Sequence, residues 1–392
     1  MVRTTVTAGC LVLGGGVMGA AAARALARRG ERVLLIERFA PGHAHGSSHG
    51  RSRIFRFAYA EPIYRELAAR ALSGWRALER ESGSTLLDLN GNWYCAPEGS
   101  AELAAVVDGL RDSGFAAPLL THRESNARFP QLFLPESHEA LLQPDGGMLF
   151  ADRCVAALWE GAQAAGARTV TNETVLGIEV GDRGVELAAA GGRRYRAPRV
   201  VVAAGSWSRG LLAQLDLALP LAVTREQVIF CLPQDDVPHG VGDLPTVLDH
   251  STERPFYALP EVLGPEGERE GVKVGQHFGG RPIDDPDSPA EVDRENLAAV
   301  MAWVRRRLPH LTPRPLRVEH CLYTTTPDQC FLLDHHPREK SVTLAAGFSG
   351  HGFKFAPALG EVLAALALGE EPALGLEMFG VGRFGEKEKQ GG

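Results

Sequence analysis

The chain has 392 residues, of which 44% are hydrophobic and 23% charged, and a formal net charge of -7 at pH 7. That is enough apolar material for a core and for two domains of ordinary size, which excludes a disordered chain. The mildly acidic balance gives no reason to expect nucleic acid or an anionic membrane as a partner, and a small molecule fits better. Six cysteines lie scattered, with no C-x-x-C pair and no zinc-like histidine spacing, so no metal is expected and a reducing cytoplasm is the expected compartment. Of the 41 basic residues only five are lysine, at 273, 340, 354, 387 and 389, so arginine is the default cation of this chain.

In chain order, Cys10–Leu13 is a short apolar strand, Gly14–Gly19 a glycine turn, Ala20–Arg29 an alanine-rich helix and Arg32–Ile36 a second strand that ends at Glu37. An uncharged stretch from Ala8 to Ala23 resembles a signal peptide, but its glycines would weaken an apolar helix, whereas a phosphate-binding turn needs them. Pro62–Glu81 has helical spacing, and Gly91–Ala140 alternates short strands with polar helical stretches as an inserted layer. Ala151–Ala165 reads as a helix, Arg168–Val180 as strand material and Arg199–Ala204 as a buried strand, all of one sheet with the first unit. From Leu221 to Thr326 longer alternating strands, Glu226–Cys231, Pro255–Leu259, Val272–Phe278 and Arg317–Thr324, predict an antiparallel sheet with one amphipathic helix over about Ala290–Leu308. The chain then returns to its first style with strand Val342–Ala346, a glycine-rich turn Gly347–Gly352 and a helix over about Ala356–Leu368, and its last dozen residues predict a frayed tail. No other segment reaches the roughly twenty apolar residues of a membrane span.

The resulting expectation is an α/β protein with an α+β second domain: a Rossmann-like dinucleotide domain (1–89, 149–219 and 326–392) interleaved with a substrate domain on an antiparallel sheet (90–148 and 220–325). Gly14-x-Gly16-x-x-Gly19 follows a strand and opens a helix, and Glu37 closes the next strand 23 residues after Gly14. Gly14 permits the tight turn, Gly16 lets a pyrophosphate approach the backbone, and Gly19 lets helix and strand pack closely, while the helix N-terminus supplies N–H groups and a positive dipole. Glu37 is positioned to accept hydrogen bonds from an adenosine ribose. The motif alone does not separate FAD from NAD.

Three further segments decide between the two: GSSHGRSRIFRFAY at Gly46–Tyr59, HCLYTTTPDQCFLLD at His320–Asp334 and AAGFSGHGFKFAP at Ala345–Pro357. Together with the fingerprint they resemble the monomeric sarcosine oxidase family, which includes N-methyltryptophan and pipecolate oxidases, nearly end to end. The resemblance implies FAD joined through its 8α-methyl group to a cysteine, here Cys321. It implies a carboxylate clamp of Arg56 and Lys354, and a lysine, Lys273, that promotes reaction with oxygen by stabilising the developing superoxide anion. By the same resemblance His277 lies near the substrate amine, Tyr257 and Tyr323 line the substrate cavity, and His49, Ser52 and Arg53 lie near the flavin ring. Further cofactor contacts fall on Val17, Met18, Arg38, Ser47, Val175, Gly205, Gly350 and Gly352, with the final helix directing its N-terminal dipole at the flavin.

Two residue-level arguments stand beside the resemblance. In an arginine-rich chain, Lys273 and Lys354 are unusual choices in apolar surroundings. On the strand, Lys273 and His277 fall on one face by the two-residue period. The implied reaction is oxidation of the neutral amine of sarcosine or another N-methyl amino acid by O2, giving glycine or the parent amino acid, formaldehyde and hydrogen peroxide, by a soluble, cytoplasmic monomer. Alternatives left open are an oxidase of a cyclic or bulky secondary amino acid such as pipecolate, proline or N-methyltryptophan, a flavin-binding electron-relay subunit, and an NAD-linked dehydrogenase. The substrate side chain meets variable loops such as Leu248–Arg254, on which the motifs are silent, and the long segment Glu261–Gly271 leaves the mouth of the site undefined.

Overall fold

A computed structural model of the chain describes residues 5–234 and 236–384. Its first sheet has six strands in the order Arg168–Val170, Val33–Ile36, Cys10–Leu13, Arg199–Val202, Val342–Ala346 and Leu332–His335. The first five are mutually parallel and only Leu332–His335 runs against its neighbour. Such strands are covered on both sides, and their alternate residues divide accordingly. Cys10, Val12, Val33, Leu35 and Val201 pack against the helices Val17–Arg28, Pro62–Ser82, Ala151–Ala164 and Ala356–Leu368. Leu11, Leu13, Leu34, Val200 and Val202 pack the other way, onto a four-stranded sheet formed by Thr5–Thr7, Val175–Gly181, Gly184–Ala189 and Arg194–Ala197.

A second body of structure is a nine-stranded sheet whose strands all come from Asn92–Gln143 and Ala222–Thr325. The long strands Ala222–Cys231 and Arg317–Thr325 pair from Ala222↔Thr325 to Phe230↔Arg317. One face of this sheet, with Trp93, Ile229, Val247, Ala258, Val272 and Val274, packs under the helix Arg294–Arg307 through Val300, Trp303 and Val304. Period-two alternation turns Val228, Phe230, Leu248, Tyr257, Lys273, Cys321 and Tyr323 to the opposite face, which forms one wall of a cavity.

Four expectations change in detail. Arg168–Val180 does not belong to one sheet: Arg168–Val170 joins the parallel sheet and Val175–Gly181 the four-stranded one. The large sheet is not wholly antiparallel, since Thr246–Asp249 runs parallel to Asn92–Pro97. These two strands are far apart in sequence, so no hairpin dictates their direction. The strand expected to reach Phe278 stops at Gln276, because Phe278 turns to φ 56°. Part of the expected frayed tail is held: Val381–Phe384 forms a 3-10 turn, and Arg383 bonds Asp328 at 2.8 Å. The rest of that tail, 385–392, lies outside the described residues.

Candidate active site

The glycine turn forms as its spacing requires. Gly14 has φ +101°, in the region open to glycine, and a side chain there would run into the Ala203 carbonyl. Gly19 does not line a groove; a Cβ on it would collide with the Gly14 carbonyl, so its part is close helix-to-strand packing. The helix Val17–Arg28 starts at Gly16 without a side-chain cap, although Val17 N–H donates to Ser48 Oγ at 3.0 Å. Glu37 is buried and accepts from Gly15 N–H at 2.6 Å and Phe39 N–H at 2.9 Å, fixing its carboxylate at the mouth of the turn.

A groove beside this turn is lined by Gly14, Gly16, Glu37, Arg38, Val175, Ala203, Gly205 and Trp207. Arg38 pairs with Asp287 at 2.8 Å and packs over the Phe39 and Trp207 rings, closing one side of it. Ala203 and Gly205 also line the cavity against the large sheet, where Val17, Met18, Ser47, His49, Ser52, Arg53 and residues 347–354 complete the wall. Groove and cavity therefore adjoin at Ala203 and Gly205, an arrangement that suits an extended dinucleotide.

The segment Gly46–Tyr59 is organised by Arg53, whose guanidinium donates to the carbonyls of Ser47 and Ser52 at 2.8 Å each and of His49 at 2.7 Å. Ser47 Oγ in turn donates to the Leu322 carbonyl, tying the loop to the strand that carries Cys321. Lys273 is buried and donates from Nζ to the Ser52 carbonyl at 3.0 Å. Burial, and then the charge of Arg53, bring its pKa down to about 7. In the same sheet, across the intervening strand Ala222–Cys231, Glu319, Cys321 and Tyr323 of Arg317–Thr325 share the cavity face. Burial pushes the Cys321 thiol up, opposed by the charges of Arg53 and Lys273. His49 Nε2 is buried without a partner on the protein, a polar atom aimed where a ligand is expected, and burial with Arg53 and Lys273 lowers its pKa to about 4.

In the same cavity lining, Arg56 and Lys354 converge on Tyr59. Arg56 lies 4.1 Å over the Tyr59 ring and donates to the Ala58 carbonyl at 2.6 Å. Lys354 Nζ donates to Tyr59 Oη at 2.9 Å and to the His351 carbonyl at 2.6 Å. Neither cation pairs with a carboxylate among the described residues, and burial with the nearby Arg56 holds Lys354 well below the ordinary lysine range. His277 lies just past its strand, where its N–H donates to the Pro255 carbonyl at 2.7 Å, and its Nδ1 is 3.3 Å from Tyr323 Oη. Burial and the charge of Arg56 lower its pKa to about 3, so it is neutral at ordinary pH. Tyr257 lies against Gly275, the position where any side chain would overlap its hydroxyl.

The turn Gly347–Gly352 fills the end of the cavity and leads through Phe353–Phe355 into the final helix. Gly350 has φ +73°, and a Cβ there would strike the Tyr323 ring, so glycine is required twice over. The Lys354 carbonyl is anchored by Trp75 Nε1 at 2.8 Å.

The chain matches the family of FAD dependent oxidoreductases over residues 10–366. It belongs to that family. It is 34% identical over 382 residues to the monomeric sarcosine oxidase of Bacillus sp. (strain B-0618), covering 96% of each chain. It is likewise 34% identical over 381 residues to the human peroxisomal sarcosine oxidase, covering 95% of each. Among solved structures, the open form of NikD, an unusual amino acid oxidase essential for nikkomycin biosynthesis, superposes with a TM-score of 0.84 at 27% identity, covering 96% of this chain and 98% of that one. The protein is an amine-oxidising flavoenzyme of the sarcosine oxidase kind with FAD as cofactor.

Every candidate cofactor, substrate or catalytic residue named from the sequence other than Gly19 lines the groove or the cavity. Reading from sequence missed Tyr59, His250, Glu319 and His351, which line or brace the same cavity. Tyr59 and His351 fall inside the quoted motifs, whereas His250 and Glu319 carry no local pattern. Among the described residues no helix is long and apolar enough to cross a membrane.

Proposed function

We propose that this enzyme oxidises N-methyl amino acids such as sarcosine with O2, yielding the parent amino acid, formaldehyde and hydrogen peroxide. The observation that carries this reading is the convergence of Arg56 and Lys354 on Tyr59, two cations without carboxylate partners among the described residues that line the same cavity as Lys273 and Cys321. Arginine offers a planar fork and lysine a point charge, a combination suited to a substrate carboxylate. Bound FAD supplies the two-electron acceptor.

The amine must lose its proton before its C–H bond is oxidised, and the surroundings favour that state. Arg53, Arg56, Lys273 and Lys354 line the cavity and disfavour a second positive charge on the substrate. Neutral His277, held near Tyr323, accepts a hydrogen bond from the uncharged amine. The oxidised amine is an imine, which adds water and releases formaldehyde; the two electrons and two protons removed appear in hydrogen peroxide. Lys273 supplies positive charge where oxygen first becomes anionic. Cys321 is assigned the covalent link to FAD; burial pushes its thiol up, and the charges of Arg53 and Lys273 act against that shift.

The test uses purified yellow holoenzyme. Acid precipitation is expected to leave the colour in the pellet, and Cys321→Ala to release it to the supernatant. Peroxide formation is then compared for sarcosine, N-methylalanine, pipecolate, proline and N-methyltryptophan. Colour that stays with the Cys321→Ala pellet refutes the linkage, and silence on all five substrates refutes the activity.

A further inference from the structure

The loop after strand Thr246–Asp249 carries a histidine into the cavity wall, and none of the steps above uses it. His250 lines the same cavity as Arg56, Tyr257, His277 and Lys354. Its Nδ1 lies 2.9 Å from Glu102 Oε1, its ring stacks on Tyr94 with centroids 4.2 Å apart, and its N–H donates to the Cys95 carbonyl at 2.8 Å. Tyr94 Oη donates to the same Glu102 oxygen at 2.9 Å. The preceding residue pins the loop. Asp249 is 1% exposed and accepts from Trp303 Nε1 at 2.8 Å, Arg307 Nε at 2.7 Å and Ser251 N–H at 2.9 Å. A side chain held from both sides in this way is preorganised, with little entropy left to lose on binding.

Nδ1 is engaged by the Glu102 carboxylate, so Nε2 is the ring nitrogen left for the cavity, and it donates there in the imidazolium form. Among the charged residues that line the cavity the balance is cationic: Glu319 is its one carboxylate among the described residues, and it pairs with Arg317 at 2.8 Å. We infer that His250 forms, with Glu102 behind it, a subsite for an anionic hydrogen-bond acceptor on the substrate's side chain, so that secondary amino acids bearing a second carboxylate are favoured over apolar ones of the same length. Leu248, Pro255 and Tyr257, also in the wall, provide the apolar surface along which the intervening methylenes lie. This inference rests on the site being one for secondary amino acids, and it names which of them the site selects.

The experiment compares N-methyl-L-glutamate with the apolar N-methyl-L-norleucine, reading the ratio of their kcat/KM values in the wild-type holoenzyme and in His250→Leu, His250→Gln and Glu102→Gln. The wild-type ratio is expected to favour the dicarboxylate. His250→Leu is expected to lower the ratio about 10- to 100-fold, mainly through KM, as for loss of one charge-assisted hydrogen bond. His250→Gln, which keeps a donor, recovers part of it, and Glu102→Gln, at an exposed position that folding tolerates, lowers it less than His250→Leu. A ratio near one in the wild type, or unchanged in His250→Leu, overturns the inference. Calorimetric titration of the holoenzyme with glutarate and with butyrate separates this from failure of the proposed activity. If no secondary amino acid is oxidised yet glutarate binds and His250→Leu weakens it about tenfold or more, the subsite stands and the activity falls. Equal binding in wild type and variant removes the subsite.

Discussion

Lys273 is a buried ammonium whose pKa falls to about 7, chiefly through burial and then through Arg53. It is charged below that pH and neutral above it, so its help to an incipient superoxide is lost as pH rises. Oxygen reactivity of the anaerobically reduced holoenzyme, followed by stopped flow, is expected to fall as pH rises through about 7. Lys273→Met is expected to slow it by about 100-fold or more at neutral pH and to flatten that profile. A Met variant as fast as the wild type would remove this role. Elsewhere in the cavity lining, Arg56 and Lys354 share Tyr59, so their contributions should not add. Arg56→Met and Lys354→Met are each expected to raise the KM for sarcosine by about 10- to 100-fold, and the double variant by less than their product. Full additivity in steady-state kinetics would show that the two cations act independently.

Among the elements, one contact open to test by a single substitution is between the first helix, Val17–Arg28, and the last, Ala356–Leu368. A Cβ on Gly360 would press on the Ala21 backbone at 2.7 Å, so the helices approach only because that position is bare. Gly360→Val is expected to destabilise the protein by about 2–3 kcal/mol through overpacking and to loosen the glycine turn that leads into Val17–Arg28. Chemical denaturation checks the first and the flavin-to-protein absorbance ratio the second. Unchanged stability with a full flavin load would mean that the helices can separate at no cost. The final helix alone has the composition of a buried segment, and its partner is legible only in space. The glycine turn, in contrast, was readable residue by residue, because φ at Gly14 and the approach at Gly19 are local demands that only glycine meets.

For the molecule as a whole, burying Lys273 makes stability depend on pH in a definite direction. The unfolded chain keeps that proton to its ordinary pKa near 10.4, whereas the folded chain releases it near 7. The unfolded state therefore binds more protons between those values, and this residue's cost to stability eases as pH rises, by at most about 1.4 kcal/mol per pH unit. Lys354, also lowered, acts in the same sense. In thermal unfolding of flavin-free protein, Lys273→Met is expected to exceed the wild type in Tm near pH 6, with the gap closing toward pH 10. A gap that is constant or widens contradicts the burial of a lysine in this wall.

What the sequence determined by itself was the part governed by neighbours along the chain. The strand–glycine–helix–acid order, the period-two strands and the motifs around Arg56, Cys321 and Lys354 identified a dinucleotide fold, its cofactor and most of the cavity wall. Tertiary structure decided what depends on pairing across distance. It put Val175–Gly181 in a separate sheet from Arg168–Val170, made one pair of the large sheet parallel, and ended a strand at Gln276 so that His277 reaches the cavity from a turn. It also brought His250 against Glu102 and Tyr94, residues more than 145 positions away, and joined Arg56 to Lys354 through Tyr59. Hydrogen bonds and charges act through space at a few ångströms, and no local spacing encodes which distant residues the sheets will bring within that range.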